Sequence, residues 1–446
     1  MKDKITRRSF LMGLAAVPLT AWLSKNKYGA EPINVQAVAE EAASAIRGRN
    51  IVILIPDSTR SGGKFIGEAL RGLYRAKSPH VESLTVIVAL GTHPALPEDA
   101  LLRYLHISPD EYRTKLNKIT FLNHEWWKAE TFVQVGQVSA EEWKRLSRDA
   151  MDLAEFRRSG GIPVRFNRIA AEADDLVILG SVVPHEVVGC SGGLKSCSPG
   201  IGDSELTGCT HWLGAALTIP AIIGTIDTPV RRVIHHCVNL MKKPRKHLIA
   251  FVPDGEVLHG VYAGSPEETF EKAARHTLKV NVEYTGRRYK RVLALLSPRY
   301  DDMWTGGKGS YKLIQLVEPG GMLVIHAPHL KTVSKTWGRD IERLGYHCLD
   351  YVRAHLSEYL DMGINPCVLA HLTHVYGPGV YEGGREIPSV VHLATGLDAG
   401  TCRRLNLARV DPASIDIDAW RRDPDAYVAD DAGQRLVLPT KSPIPA

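Results

Sequence analysis

The chain has 446 residues, of which 44% are hydrophobic and 23% are charged, so it has room for two or three folded domains and is neither a disordered chain nor a multi-span membrane protein. Its 55 Lys and Arg residues and 49 Asp and Glu residues give a formal net charge of +6. Residues 1–30 carry six basic residues and one acidic residue, so residues 31–446 have a net charge of +1, which removes the main support for a polyanion-binding role.

The first thirty residues predict an export signal. An arginine pair, Arg7-Arg8, stands directly before Phe10 and the apolar run 11–23. A basic segment followed by a short apolar run is the layout of a secretory signal, and this run is short for a membrane span. The motif resembles a twin-arginine signal, whose machinery carries proteins that have already folded. We therefore expect a periplasmic protein, with a basic amphipathic helix as the alternative and the cleavage site left open.

Strands alternate with helices in the first half of the chain. The predicted strands are 51–55, 84–90 and 175–179, and the predicted helices are 65–74 and 97–104. Continuous apolar strands separated by helices favour a mostly parallel sheet that is covered on both faces. Ligands bind such sheets at the carboxyl ends of the strands. The polar clusters around Asp57, His93 and His185, each at a strand end, are therefore predicted to converge on one crevice.

A glycine-rich segment follows the third strand. Ser191-Gly192-Gly193 with Lys195 and Ser196 offers open backbone N–H groups, a cation and a hydroxyl, which are the groups that bind a phosphate. The spacing of a Walker P-loop is absent. A phosphate site and a glycine-rich turn with a surface lysine both remain open on this pattern.

The seven cysteines form an odd set without a CxxC pair, which indicates neither a zinc ribbon nor a fully paired disulfide framework. Cys190, Cys197 and Cys209 lie close together in the sequence. One disulfide among them after export stays open, and small buried hydrophobic side chains are the favoured interpretation.

A second α/β series begins near residue 291. Its predicted elements are strands at 291–296 and 322–325 and helices at 308–317 and 333–344. The predicted organisation is an export signal at 1–30, an N-terminal domain at 31–275, a C-terminal α/β domain at 276–420 and a tail at 421–446. The expected fold class is two α/β domains with mostly parallel sheets and an active-site cleft between them.

Five separated motifs, taken together and in this order, resemble the lactate racemase family. They are PDSTR at 56–60, GTH at 91–93, PHxxxGxSGGxKSxxPG at 184–200, the single residue His211, and YDDMWTGGKG at 300–309. Enzymes of that family use a nickel-pincer nucleotide. The resemblance implies that residues 31–275 form the cofactor-binding and catalytic domain.

The resemblance also implies roles for individual residues. Lys195 matches the lysine to which the cofactor, a Ni(II) pyridinium-3,5-bisthiocarboxylate mononucleotide, is covalently attached, and His211 matches the nickel ligand. His93 and His185 match the two acid–base histidines. Contacts to the nucleotide are implied for Asp57, Ser58, Thr59 and Arg60, and contacts to the substrate for Arg60, Thr305 and Lys308.

The implied activity is an isomerase reaction, the racemisation or epimerisation of a 2-hydroxy acid at C2. Removing a proton from C2 would ionise a very weak carbon acid, whereas reversible hydride transfer to the cofactor leaves a stable 2-keto acid. One histidine then exchanges the hydroxyl proton in each of the two orientations of the hydroxyl group. Imidazole suits this role because its pKa lies near neutral pH. The expected partners are a small-molecule substrate, the cofactor-synthesis enzymes and the twin-arginine machinery, with no nucleic acid and no stable membrane span unless the signal is retained.

Some positions depart from the family pattern. Thr305 stands where lactate-specific enzymes carry an amide side chain, and Cys190 replaces an aromatic residue, which suggests a wider site. Both departures favour a larger or polyhydroxylated 2-hydroxy acid over lactate. Outside the motifs, His124 is as much a pocket candidate as a structural residue, and the pair His371 and His374 is interpreted as structural.

Two other functions stay open on the sequence. One is a non-catalytic periplasmic binding protein that captures a hydroxy acid or a nucleotide. The other is a metal-dependent hydrolase that uses a histidine-bound ion and the Asp57 carboxylate. The simultaneous presence of Lys195, His211, His93 and His185 favours the racemase over both.

Overall fold

The computed structural model describes residues 22–23 and 33–440, so the arginine pair of the predicted export signal lies outside the described residues. The strands up to residue 264 are β1 Trp22–Leu23, β2 Asn50–Ile55, β3 Ser83–Val88, β4 Ile119–Asn123, β5 Phe132–Val138, β6 Ile162–Asn167, β7 Asp175–Ser181, β8 Pro184–His185, β9 Gly189–Cys190, β10 Arg245–Asp254 and β11 Val257–Gly264. The later strands are β12 Val282–Tyr284, β13 Tyr289–Leu295, β14 Val317–Ala327, β15 Tyr381–Glu382, β16 Arg385–Glu386, β17 Val391–Thr395, β18 Ala408–Arg409, β19 Ala426–Ala429 and β20 Leu436–Leu438.

Helices cover the sheets and connect their strands. The helices of the first half are α1 Val35–Ala42, α2 Gly63–Lys77, α3 Glu98–Tyr104, α4 Pro109–Lys115, α5 Ala140–Ser147, α6 Arg168–Ala171, α7 Ser204–Leu217, α8 Ile219–Ile222, α9 Pro229–Leu240 and α10 Pro266–Val280. Those of the second half are α11 Met303–Gly306, α12 Lys308–Tyr311, α13 Gly338–Leu344, α14 Leu349–Ala354, α15 Leu356–Asp361, α16 Pro366–Tyr376, α17 Ala399–Arg404 and α18 Ile417–Arg422. No helix in the described part of the chain is both long and apolar enough to cross a bilayer.

The first sheet has seven strands in the order β1-β11-β10-β7-β2-β3-β4. The pairs from β10 to β4 are parallel, and β11 and β1 add an antiparallel edge. Alternate residues of β2 enter two different cores: Val52 and Leu54 pack on one face of the sheet, and Ile51, Ile53 and Ile55 pack on the other. The sheet is therefore covered on both faces, as continuous apolar strands require.

The second sheet has five strands in the order β18-β17-β14-β13-β19, and all four pairs are parallel. Together the two sheets confirm the predicted α/β class with mostly parallel strands. The strand order reverses once in each sheet, next to β2 in the first sheet and next to β13 in the second. Loops that leave neighbouring strands at such a reversal diverge and open a crevice for ligands.

Tertiary structure changes three of the predicted elements. The helix predicted at 308–317 is wrong beyond Tyr311: a 3₁₀ turn follows, and the chain enters β14 at Val317, which pairs with Tyr289. The helix predicted at 333–344 begins only at Gly338, because the Ser334 hydroxyl accepts from two backbone N–H groups and forms a turn there.

The predicted tail at 421–446 is wrong up to residue 440. Residues 426–429 form β19, which pairs in parallel with β13, and residues 436–438 form β20, which pairs with β12. The Asp- and Pro-rich composition does not predict these short strands, because their pairing partners lie more than 130 residues away in the chain.

Helix α10 runs across the expected domain boundary at 275 and packs on the first sheet, where the Tyr262 hydroxyl lies 3.0 Å from Nδ1 of His276.

All seven cysteines are buried and unpaired, in accord with their interpretation as small buried hydrophobic side chains.

Asp175 at the start of β7 forms hydrogen bonds to strand β10 and to the segment before β2. Its carboxylate accepts from Nε and Nη2 of Arg245 at 2.9 and 2.7 Å, from Nε2 of His247 at 2.8 Å and from the Gly48 backbone N–H. Burial raises the pKa of this carboxyl group, but the hydrogen bonds from Arg245, His247 and Gly48 outweigh burial and lower the pKa to about 2.

We expect Asp175→Asn to lower the free energy of unfolding by about 3 kcal/mol at pH 7, because it leaves Arg245 without its buried partner. The folded-state pKa is depressed, so the contribution of Asp175 is complete above about pH 4 and is lost as the pH falls towards 2. Urea unfolding at several pH values measures both effects. Asp361→Asn is the matched control, because its ion pair with Arg157 is exposed and contributes about 1 kcal/mol or less. Equal destabilisation by the two variants would contradict the assignment.

Candidate active site

The carboxyl ends of both sheets face one cleft. The cleft encloses about 1110 Å³ of space free of protein atoms, counted to its solvent opening, and its walls come from residues 56–211 and 304–374. Loops that follow β2, β3 and β7 supply the wall of the first lobe, and the segment 304–311 and helix α16 supply the wall of the second. The cleft thus lies between the two strand-order reversals.

Asp57 and His93 form a hydrogen-bonded pair in the first wall. Nδ1 of His93 lies 2.5 Å from Oδ2 of Asp57, while Oδ1 accepts from the backbone N–H and the hydroxyl of Thr59. Burial raises the pKa of the Asp57 carboxyl group, but His93, Arg60 and Thr59 together outweigh burial and hold this pKa far below its ordinary value. An ionised Asp57 accepts the Nδ1 proton of His93 and leaves Nε2 of the ring free.

His185 follows β7 and is buried. The backbone N–H of Val187 donates to its Nδ1 at 3.1 Å, and Nη2 of Arg60, which can only donate, lies 3.4 Å from its Nε2. A neutral imidazole has one acceptor nitrogen, so the shorter contact assigns the acceptor to Nδ1 and the proton to Nε2, and the longer Arg60 contact is not a hydrogen bond. Burial, followed by the charges of Lys195, Arg60 and Lys308, lowers the pKa of His185 well below its ordinary value. The ring is therefore uncharged at neutral pH.

Lys195 lies on a 3₁₀ turn, Gly193–Ser196, in the glycine-rich segment. Gly192 and Gly193 have φ angles of +80° and +62°, and a Cβ atom at Gly193 would lie 3.0 Å from the Phe270 ring. Both positions therefore need glycine, and the turn they form presents Lys195 to the cleft. Burial and the charge of Arg60 lower the pKa of Lys195 to about 7.

His211 enters the cleft from helix α7. Its Nδ1 lies 2.7 Å from the Thr207 carbonyl oxygen one turn earlier, so Nδ1 carries the ring proton and Nε2 keeps a free lone pair. Burial and the charge of Lys195 lower the pKa of His211 to about 4. A neutral imidazole oriented through its second nitrogen is the usual form of a metal-binding histidine.

Lys308 and Thr305 come from the second lobe. Lys308 is buried, and its ammonium nitrogen has no hydrogen-bond partner in the described part of the chain. Burial, followed by the charge of Arg60, lowers the pKa of Lys308 to about 7. The Thr305 hydroxyl lines the cleft but donates to Oδ1 of Asp302 at 2.8 Å, as part of the cap of helix α11.

The structure brings most of the predicted site residues together. The predicted residues that line the cleft are Asp57, Arg60, His93, His185, Lys195, His211, Thr305 and Lys308. Ser58 is exposed and does not line it, and Thr59 contributes by holding Asp57. Cys190 is buried outside the cleft, so its small side chain does not widen the site. His124 is structural, because its Nε2 lies 3.1 Å from the Gly202 carbonyl oxygen and Asn167 faces its other nitrogen.

Three cleft residues were missed by the sequence interpretation. His371 and His374, interpreted as structural, both line the cleft from α16, and Glu186 lines it beside His185. The spacing of three residues places both histidines on one helix face, which was a usable signal. The hydroxyl groups of Tyr311 and Tyr346 lie 3.0 and 3.3 Å from the two ring nitrogens of His371, whereas Nε2 of His374 has no partner among the described residues.

These residues fit the cofactor that the sequence resemblance implies. Lys195 offers an amine that is about half unprotonated near pH 7, and Nε2 of His211 has a free lone pair for a metal. Among the residues that the structure describes, no group of three or more His, Cys, Asp or Glu side chains is placed to hold a metal ion. A metal at His211 therefore fits this site best when a bound group supplies its remaining ligands, as a pincer nucleotide does.

Comparison with known proteins agrees with this arrangement. Residues 143–217, which include His185, Lys195 and His211, match the model of the lactate racemase N-terminal domain. Over this segment the chain is similar to lactate racemase N-terminal domains. No curated protein sequence matches the chain.

Two solved structures are similar over nearly the whole length. A protein from Thermotoga maritima shares 28% identity with a TM-score of 0.81, covering 92% of this chain and 99% of its own. The lactate racemase apoprotein from Thermoanaerobacterium thermosaccharolyticum shares 18% identity with a TM-score of 0.63, covering 91% of this chain and 90% of its own. The domain match supports the resemblance to the lactate racemase family at residues 143–217, and the two solved structures show that the fold is shared.

The lowered pKa values of the two cleft lysines predict unusual reactivity. A lysine reacts with acylating reagents only when deprotonated, so Lys195 and Lys308 should become half-reactive near pH 7. Competitive labelling between pH 5 and 10, read by peptide mass mapping, measures this, with the exposed Lys115 as internal reference. Arg60→Gln should raise the midpoint of both cleft lysines because it removes a neighbouring positive charge. Midpoints near the ordinary value of 10.5 for either lysine would contradict the prediction.

Proposed function

We propose that the protein is a racemase or epimerase of a 2-hydroxy acid that uses a nickel-pincer nucleotide attached at Lys195. The observation that carries the proposal is the convergence of an Asp–His pair, a second neutral histidine, a low-pKa lysine and a metal-competent histidine on one cleft. Asp57, His93, Lys195 and His211 all come from the first lobe and line this cleft. The lactate racemase N-terminal domain match at 143–217 supports the same conclusion.

Lys195 and His211 would hold the cofactor, the first through a covalent bond from its amine and the second through Nε2 to nickel. The loop 57–60 would contact the nucleotide through Asp57 and Thr59, with Arg60 shared between nucleotide and substrate. When bound, the group supplies a hydride acceptor and donor for C2 of the substrate.

His93 is the better prepared of the two acid–base histidines. Asp57 fixes its Nδ1 proton, so Nε2 faces the cleft as an acceptor for the proton of the C2 hydroxyl group. The ionised carboxylate also stabilises the imidazolium that forms. His185 holds its proton at Nε2, from which it donates a hydrogen bond to the C2 oxygen of the enantiomer that faces it.

Arg60 and Lys308 would fix the substrate carboxylate from opposite lobes of the cleft. The Lys308 ammonium group lacks a partner among the described residues, and a bound anion would supply one. An anion also favours the protonated form of Lys308, whose pKa is lowered in the free protein. Because Arg60 and Lys308 both hold its carboxylate, the planar 2-keto acid stays in the cleft while it turns over to present its other face.

The alternative functions fit the same geometry less well. A binding protein has no use for a lysine whose pKa is lowered to about 7 beside a histidine whose Nε2 lone pair is free to bind a metal. A metal-dependent hydrolase binds its ion with about three protein ligands, which the described cleft residues do not provide.

We further propose that the chain is exported folded and loaded, by the twin-arginine route, to the periplasm. The support is the arginine pair Arg7-Arg8 before the apolar run 11–23. The partners under this proposal are the cofactor-synthesis enzymes before export and the export machinery itself.

Expression together with nickel-pincer synthesis enzymes tests the cofactor assignment. We expect intact-mass analysis to show an adduct that maps to Lys195 and elemental analysis to show about one nickel per chain. Lys195→Ala should lose the adduct, whereas His211→Ala should keep the adduct and lose most of the nickel. Lys115→Ala is the control lysine. Wild-type protein without adduct or nickel would refute the proposed function.

Loaded variants test the acid–base assignment with a panel of chiral 2-hydroxy acids. His93→Ala and Asp57→Asn should lower kcat by about 100-fold to 10,000-fold while the Lys195 adduct persists. His185→Ala should have a smaller effect, because the ring is held as a hydrogen-bond donor. Reactions in deuterated water should leave C2 free of solvent deuterium. Full activity of His93→Ala, or deuterium at C2, would contradict this mechanism.

A further inference from the structure

Glu186 places a carboxylate in the cleft, and the proposed reaction assigns no role to it. It lies in the turn between β8 and β9, is 8% exposed, and lines the main cleft. It also lines a smaller adjoining cavity of about 390 Å³, and Arg60 and Lys308 line both spaces as well. Glu186 therefore stands at the junction beside the two cations that would hold the substrate carboxylate.

The Glu186 carboxylate has no side-chain donor. Among the described residues its only hydrogen-bonding neighbour is its own backbone N–H, and Arg60 and Lys308 act on it through space without forming an ion pair. Burial raises its pKa, but the charges of Lys308 and Arg60 outweigh burial and lower the pKa, so the group is ionised. A desolvated carboxylate without donors is unfavourable, and a ligand that brings donors removes this cost.

His185 does not donate a hydrogen bond to the Glu186 carboxylate. Nδ1 of His185 lies 3.5 Å from Oε2, but this nitrogen already accepts from the Val187 N–H and has no proton to give. The contact therefore differs from the Asp57–His93 pair, in which the distance is 2.5 Å and Nδ1 is the donor. The open acceptor positions of Glu186 face the ligand space.

The groups around Glu186 indicate which part of a ligand would bind beside it. A second substrate carboxylate would be repelled by Glu186, and an aliphatic chain would leave it desolvated and unpaired. Hydroxyl groups are neutral donors and match a carboxylate that already has two cations nearby. Nε2 of His374, buried and without a partner in the described chain, is a second open position on the same cleft for a hydroxyl group.

The adjoining cavity offers polar groups as well as apolar ones. Thr59, Ser61, Ser191, Tyr300 and Gln434 line it, together with Lys312, whose ammonium group donates to the Gln434 carbonyl oxygen at 2.7 Å. A chain that continues from the cleft into this cavity passes Glu186.

We propose that Glu186 recognises hydroxyl groups beyond C2, so that the substrate is a polyhydroxylated 2-hydroxy acid and neither lactate nor a dicarboxylic 2-hydroxy acid. This inference rests on the proposed function for the identity of the 2-hydroxy acid group itself. A site built around a hydrogen bond to a substrate hydroxyl rejects analogues that lack it, and such rejection can reach several orders of magnitude.

Binding and turnover of three probes test the proposal on the loaded protein: gluconate, lactate and malate. Titration calorimetry should give gluconate at least 10-fold tighter binding than the other two, and kcat/KM should follow the same order. Glu186→Gln should weaken gluconate binding about 10-fold, leave lactate within twofold, and strengthen malate binding severalfold because the repulsion is gone. Glu130→Gln, at an exposed position, is the control and should change none of these values.

Two results would overturn the proposal. One is a wild-type protein that prefers lactate or malate, a comparison that needs no variant to fold. The other is an equal loss for all three probes in Glu186→Gln, which would assign Glu186 to positioning His185 instead. If the loaded protein racemises no 2-hydroxy acid, the proposed function fails, and the binding comparison still decides what Glu186 recognises.

Discussion

The desolvation of positive charge is the constraint on which the rest of the site depends. Arg60, Lys195 and Lys308 share one cleft, and two carboxylates, Asp57 and Glu186, face them. Burial disfavours the charged form of an amine, and each neighbouring cation disfavours it further, so the two lysines titrate near neutral pH instead of several units higher. Burial and the same charges lower the pKa of His185 and His211 and keep both rings neutral, which is the state that a metal ligand at His211 needs.

The charged groups of the cleft come from both lobes of the fold. Asp57 follows β2 and His185 follows β7 at the strand-order reversal of the first sheet, while Lys308 follows β13 at the reversal of the second. Buried apolar strands fix the loops that carry these polar groups. Lys308 approaches Arg60 across the cleft, and two like charges in a poorly hydrated space repel each other. An anion bound between them relieves that repulsion.

The fold class and several site residues were predictable because their signals are local. The apolar run 51–55 and its neighbours specify parallel strands by composition alone, and the motif at 184–200 contains both His185 and Lys195. Elements without such signals were mispredicted. Residues 426–429 form a strand because a distant partner, β13, has an open edge, and residues 312–317 leave the helix because Val317 pairs with Tyr289. Pairing across long sequence separations overrides local propensity, and composition does not record it.

The sequence by itself determined the α/β class, the export-like start of the chain, and the candidates Lys195, His211, His93 and His185. The class and the start of the chain follow from local composition and spacing, whereas the four candidates follow from the resemblance of their motifs to the lactate racemase family. Only the tertiary structure decided which nitrogen of each histidine is free, because that depends on contacts such as Asp57 to His93 and Val187 to His185. The tertiary structure also placed Glu186 and His374 on the cleft. A carboxylate or an imidazole without a partner is a property of the space around it, and that space exists only when the two lobes come together.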